Sequence, residues 1–440
     1  MKPSRQLALS LLLVVLAHGA PAIAAVSRAT AVVADIGPGT NPYHQAFRRP
    51  TWTEHPCTVI PGFSCDTPAL NLTFGADYAA DLAADRATWA SYRPGTLYWV
   101  PHTNLLLLTT RSFVNADGTG IPDGHVDATG THGVGTSGAV SAACPDCYVL
   151  VVQDAASGNG EGTQYVVDHL PWVDFITNTS FPGSNTEGPG YAWASKAFVD
   201  SGRLQFVGSG NFVVYPLLDE LSVAYPDYNL PPWVTVVGGA IDRIDFADGS
   251  FDCRGIDPDA SKPSDFVGDF AQNLPTPETT NDDLVLTGTS FATPQVAARF
   301  AETLRKLRAA LGDTRAPGKL WAGAPRNSPL LKDGALTGAE MYQLMASVAS
   351  YFKPRDYNPL CEPEFALHGM TPPQPAPLAP WSEMGWGFPL AGDTDRAVQV
   401  LLGQSAAPTK PPNGITYMQE FAKLRKFTWN SLVKISAALP

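Results

Sequence analysis

Positive charge is scarce in this chain of 440 residues: 29 Lys and Arg face 41 Asp and Glu, a formal net charge of −12. Nucleic acid and anionic membrane surfaces both select a basic face, so neither is expected as a partner. Charge of either sign is limited to 16% of residues against 44% hydrophobic, which excludes a disordered chain and indicates a globular one. Cysteine is limited to six positions, Cys57, Cys65, Cys144, Cys147, Cys253 and Cys361. No second C-x-x-C and no suitably spaced histidine pair accompanies Cys144-Pro-Asp-Cys147, so a zinc site lacks its other half. Beyond the N-terminus there is no apolar run long enough to cross a bilayer, and there is no internal repeat. Glycine (39) and proline (40) are plentiful, so substantial loops are expected.

The N-terminus has a basic head (M-K-P-S-R-Q), a short apolar run (L-A-L-S-L-L-L-V-V-L-A) and small residues (P-A-I-A-A). This is the pattern of a secretory signal over residues 1–25, cleaved near Ala24 or Ala25, and it points to a secreted or periplasmic protein. An even cysteine count in an exported chain suggests disulfides. Cys57 with Cys65 and Cys144 with Cys147 are near neighbours, which leaves Cys253 for Cys361; this is one of several pairings six cysteines allow. A redox dithiol is the alternative for Cys144 and Cys147.

Five nearly continuous apolar runs, at 29–34, 148–152, 173–177, 204–207 and 233–237, alternate with helix-like segments. Such runs suit a parallel sheet covered on both faces, with functional loops at the carboxyl ends of its strands. One domain over residues 26–440 is expected. It carries an insertion at about 45–128 and a helical extension at about 391–440, after the proline-rich connector 372–380. The stretch L-Y-W-V-P-H-T-N-L-L-L-L within the insertion is too apolar for a free loop.

The string Gly288-Thr289-Ser290-Phe291-Ala292-Thr293-Pro294 runs into a helical pattern in which Val296, Phe300, Leu304 and Leu307 form an apolar face. Ser290 falls at the mouth of that helix, where its side chain can cap free N–H groups, and Pro294 falls in the first turn. A hydroxyl there feels the positive end of the helix dipole. A serine nucleophile needs a base, and His132 is followed by a run of small residues (G-V-G-T-S-G-A) that lets a helix enter a crowded interior. His125 is its rival. Asp35 ends the first strand and can hold an imidazole in one tautomer. Asn211, after the strand L-Q-F-V, can share an oxyanion with the Ser290 N–H.

The order Asp35, His132, Ser290 and the strings D-I-G, H-G-V-G-T-S-G, G-S-G-N and G-T-S-F-A-T-P resemble the subtilisin-like serine peptidases, the subtilase family (peptidase family S8). The resemblance implies an α/β fold: a subtilisin-like three-layer α/β/α arrangement with a mainly parallel central sheet, and a long insertion between the first strand and the histidine helix. It implies a serine endopeptidase with Asp35, His132 and Ser290 as triad and Asn211 as oxyanion donor. Ser180 would lie on the edge segment that pairs with extended peptides, and Gly208 and Ser209 would border the specificity pocket. Protein or peptide substrates follow, with no cofactor required and no metal in the site. A structural calcium is common in the family, but no ligand loop here matches one. Three positions depart from the family pattern. Ile36 stands where a serine or threonine usually follows the aspartate. Val134 replaces the usual threonine after the histidine, while a threonine stands at Thr136, where an aliphatic residue is usual. These departures keep a second reading open, a catalytically impaired secreted binding or scaffold protein on the same fold. A G-x-S-x-G esterase is disfavoured, because that fold places its acid and histidine after the serine and only His368 lies downstream.

Overall fold

A computed structural model of the chain describes residues 28–109, 132–154, 160–179, 189–209, 232–241, 244–245, 251–252, 255–256, 264–350, 385–408, 418 and 423. In chain order the first half gives β1 (Val32–Gly37), α1 (Tyr78–Ala84), α2 (Arg86–Ser91), β2 (Leu97–Trp99), β3 (Leu105–Thr109), α3 (His132–Ala143), β4 (Tyr148–Gln153), α4 (Glu161–His169), β5 (Phe175–Asn178), α5 (Pro189–Asp200) and β6 (Leu204–Gly208). The second half gives β7 (Thr235–Ile241), β8 (Ile244–Asp245), β9 (Phe251–Asp252), β10 (Gly255–Ile256), β11 (Phe266–Asp269), β12 (Ala271–Pro275), β13 (Asp283–Thr287), α6 (Thr289–Leu311), β14 (Trp321–Ala322), β15 (Ala335–Leu336), α7 (Gly338–Val348) and α8 (Ala391–Leu401).

Nine strands form the central sheet in the order β10-β7-β6-β5-β1-β4-β3-β2, with β11 also paired to β7. The pairs β3/β4, β4/β1, β1/β5, β5/β6, β6/β7 and β7/β11 are parallel, while β2/β3 and β7/β10 are antiparallel. Alternation along β1 sorts its side chains. Ala31 and Val33 join the core shared with Val296, Phe300 and Leu304 of α6. Val32, Ala34 and Ile36 join the core on the other face with Val166 of α4 and Phe198 of α5. The result is the three-layer α/β/α arrangement with a mainly parallel sheet.

One expectation shifts. The first strand spans Val32–Gly37 rather than 29–34, so Asp35 lies within it instead of ending it. A buried carboxylate does not interrupt the ladder, because pairing uses the backbone: Asp35 aligns with Val151 on β4 and Thr177 on β5. The apolar stretch in the insertion is no free loop, as expected. It forms the β2–β3 hairpin, and β3 pairs with β4, extending the main sheet. The extension contributes α8 over its first part; most of 409–440 lies outside the described residues. Disulfides join Cys57 to Cys65 and Cys144 to Cys147, while Cys253 and Cys361 lie outside the described residues. Among the described residues no helix is long and apolar enough to cross a membrane.

At the amino ends of the strands a buried ion pair ties α6 to the sheet. Arg308 donates from both Nη atoms to Asp174, at 2.8 and 2.7 Å, and from them also to the carbonyls of Thr30 and Leu320. Asp174 Oδ2 also accepts the Val32 N–H at 2.9 Å. Burial alone would raise the Asp174 carboxyl, but the Arg308 and Arg315 guanidiniums outweigh it and hold the group below the usual carboxylate range. Removing one partner strands the other charge in the interior, which costs about 3–5 kcal/mol. Asp174→Ala is therefore expected to lower unfolding free energy by about that amount in urea titration; a loss under about 1 kcal/mol would contradict this account.

Candidate active site

Asp35 sits in β1 on the face toward α3 and α6 and is 1% exposed. Helix α3 opens at His132 and is buried from Gly133 through Ser141. Its small residues permit that approach. A Cβ at Gly133 would collide with the Gly39 backbone, just past the end of β1. At Gly135 it would come within 2.5 Å of Leu286 and 2.6 Å of Phe291, and at Gly138 within 2.5 Å of Pro275. So α3 lies against the turn after β1, the β12–β13 hairpin and the first turn of α6 at once. The His132 ring is 5.7 Å, centroid to centroid, from the ring of Phe291, the neighbour of Ser290.

Ser290 is the second residue of α6 and is 8% exposed. It is not the N-cap. That position is Gly288, at φ 142°, with no side-chain capping bond. The backbone turns from β13 into the helix through a conformation that glycine adopts readily, so the helix begins one residue before the serine. Pro294 also lies deeper than the first turn. It occupies the position whose N–H would bond the Ser290 carbonyl four residues earlier, so the ladder lacks that donor. Ser290 nonetheless stays within the first turn, where the dipole acts.

The carboxyl end of β6 abuts the same turn. A Cβ on Gly208 would fall 3.0 Å from Thr289 Oγ1 and 3.3 Å from Thr293 Oγ1. Ser209 is buried, its N–H donates to the Val237 carbonyl at 2.8 Å, and its Oγ has no hydrogen-bond partner among the described residues. Ser180 and Asn211 lie outside the described residues, as does His125.

Thr136, one turn into α3, donates from Oγ1 to Asp35 Oδ2 at 2.7 Å, and the same oxygen lies 3.1 Å from the Gly133 carbonyl. Asp35 Oδ1 is buried and accepts no hydrogen bond from any described residue. Burial therefore dominates: it pushes the Asp35 carboxyl from 3.8 up to about 7, and the Thr136 hydroxyl opposes it. Ile36 has no part in this. Its side chain points to the opposite face, where it packs with Val152 and lies against Gly162 of α4. The hydroxyl that meets the Asp35 carboxyl comes instead from α3. The unusual threonine at 136 was visible in sequence; its bond to Asp35 was not.

Similarity to proteins of known structure was found at the level of three-dimensional form. No family model matches the chain, and neither does any curated protein sequence. Among solved structures, the epidermin leader peptide processing serine protease of Staphylococcus aureus is 12% identical at a TM-score of 0.44, covering 86% of this chain and 77% of that one. A lanthipeptide protease is 13% identical at 0.43, over 84% of this chain and 89% of its own. A cold-adapted subtilisin-like serine proteinase is 13% identical at 0.36, over 74% and 84%. The fold itself is a three-layer α/β/α arrangement around a mainly parallel sheet. Within it, α3 packs against both β1 and α6, with Thr136 bonded to Asp35 and the His132 ring beside Phe291.

The raised Asp35 carboxyl has a consequence for stability. A group at about 7 when folded and 3.8 when exposed binds its proton more tightly in the native state. Its contribution is thus fully present below about pH 4 and is lost as pH rises through about 7. Relative to Asp35→Asn, which does not titrate, wild-type stability should fall between those limits and level off above them. Urea unfolding of both proteins across this range checks the sign; a difference that is flat, or that rises with pH, would contradict it.

Proposed function

We propose that the protein is an exported serine endopeptidase. Ser290 Oγ attacks the peptide carbonyl while His132 takes its proton. Asp35 orients the imidazole and stabilises the imidazolium. The Ser290 N–H and Asn211 hold the developing oxyanion at the positive end of α6. His132 then returns the proton to the leaving amine, and water releases the acyl enzyme. The reaction calls on no cofactor and no metal. Substrates are extended peptides, paired along the segment at Ser180 and seated by Gly208 and Ser209.

One observation carries this reading. Thr136 of α3 is hydrogen-bonded to the buried Asp35, while His132, one turn earlier on α3, packs its ring against the neighbour of Ser290. The elements that carry Asp35, His132 and Ser290, far apart in sequence, pack against one another, and this supports the reading. Export is supported by the N-terminal pattern at 1–25 and by the bonds Cys57–Cys65 and Cys144–Cys147, which suit an oxidising compartment.

The purified protein is expected to cleave casein and to take up a fluorophosphonate at Ser290. Ser290→Ala and His132→Ala should each reduce turnover by about 10⁴-fold or more. Labelling at another residue, or His132→Ala retaining more than about a tenth of the activity, would overturn the assignment.

A further inference from the structure

The buried hydroxyl of Thr136 is the one hydrogen-bond donor that the described residues offer to the Asp35 carboxyl. It is fixed by its surroundings. Thr136 is fully buried on α3, and its own helix offers a second acceptor, the Gly133 carbonyl at 3.1 Å. A threonine hydroxyl has one proton and two lone pairs. Beside an ionised Asp35 the proton goes to Oδ2. Beside a protonated Asp35 the carboxyl donates to Oγ1, and the hydroxyl proton turns to the Gly133 carbonyl. Either protonation state therefore keeps Oδ2 engaged. Thr177, level with Asp35 on β5, has a buried hydroxyl of its own, but that hydroxyl has no partner among the described residues. Ile36 is turned to the other face.

We infer that Thr136 is a positioning residue: by holding Asp35 Oδ2 it leaves Oδ1 as the oxygen that receives the His132 imidazole. The inference rests on the peptidase reading and deepens it. It assigns to α3 two tasks, carrying the base at its first residue and locking the acid one turn later. One helix thus carries the base and holds the acid of β1 in place. Thr136 touches neither substrate nor reacting atoms; it acts through Asp35.

The test compares Thr136→Val, which keeps the shape and loses the hydroxyl, with Thr136→Ser, which keeps the hydroxyl. Losing one hydrogen bond to a buried charge corresponds to roughly a 10- to 100-fold effect. Thr136→Val should lose about that much in kcat with KM changed less than about threefold, and the acid limb of its pH profile should move up by about one unit. Thr136→Ser should stay within about threefold of wild type in kcat, with its acid limb in place. Near-UV circular dichroism confirms that each variant is folded. Thr136→Val matching wild type in both kcat and acid limb, or Thr136→Ser as impaired as Thr136→Val, would overturn the inference. Should the wild-type protein neither cleave casein nor label at Ser290, the peptidase reading fails and the positioning role fails with it. The hydrogen bond is then judged separately, by ¹³C NMR titration of the Asp35 carboxyl. A higher titration point in Thr136→Val supports the clamp on Oδ2, and identical curves in the two proteins refute it.

Discussion

The depth to which α3 can press into the interior controls the geometry of this site. Its contact surface is made of absent side chains: at Gly133 the neighbour is backbone after β1, at Gly135 it is Leu286 and Phe291, and at Gly138 it is Pro275. Glycine at these positions costs helix propensity, roughly 1 kcal/mol per residue relative to alanine. The compensation is tertiary. The helix is buried through Ser141 and packs against β1, the β12–β13 hairpin and α6. With α3 held there, His132 lies beside Phe291 and Thr136 reaches Asp35.

The same packing creates an electrostatic problem and supplies part of its answer. Asp35 is taken out of water, which disfavours its charge, and one hydroxyl from α3 offsets only a fraction of that cost. The group is left near the middle of the physiological range. Asp174, equally buried, shows what a different set of partners does. Two arginines and a backbone N–H surround it, and its carboxyl stays below the ordinary range. One carboxylate is a fixed fastener between α6 and the sheet. The other keeps Oδ1 unengaged by the described residues.

Local patterns were legible in the sequence where one element determines them. The face Val296, Phe300, Leu304 and Leu307 is fully buried, as its helical spacing implies. All five apolar runs became strands, the first of them displaced toward Gly37, and the small-residue run after His132 became a buried helix. What was not legible is long-range. The apolar stretch around Leu105 declared itself buried, yet nothing in it named β4 as its partner. Asp35 looked like a strand end because it is polar, although its backbone continues the ladder. The start of α6 depended on the φ of Gly288, not on the hydroxyl of Ser290. The bond from Thr136 to Asp35 spans 101 residues, and nothing local to position 136 names its partner.

The central claim is that Asp35, His132 and Ser290 act as one unit with Thr136 behind the acid. The most direct measurement is a crystal structure of the protein inactivated by a phosphonate. The account predicts phosphorus bonded to Ser290 Oγ, His132 within hydrogen-bond reach of Asp35 Oδ1 at roughly 2.6–3.2 Å, and Thr136 Oγ1 still on Oδ2. An adduct on another residue, or an Asp35 carboxyl out of reach of His132 in that complex, would contradict it.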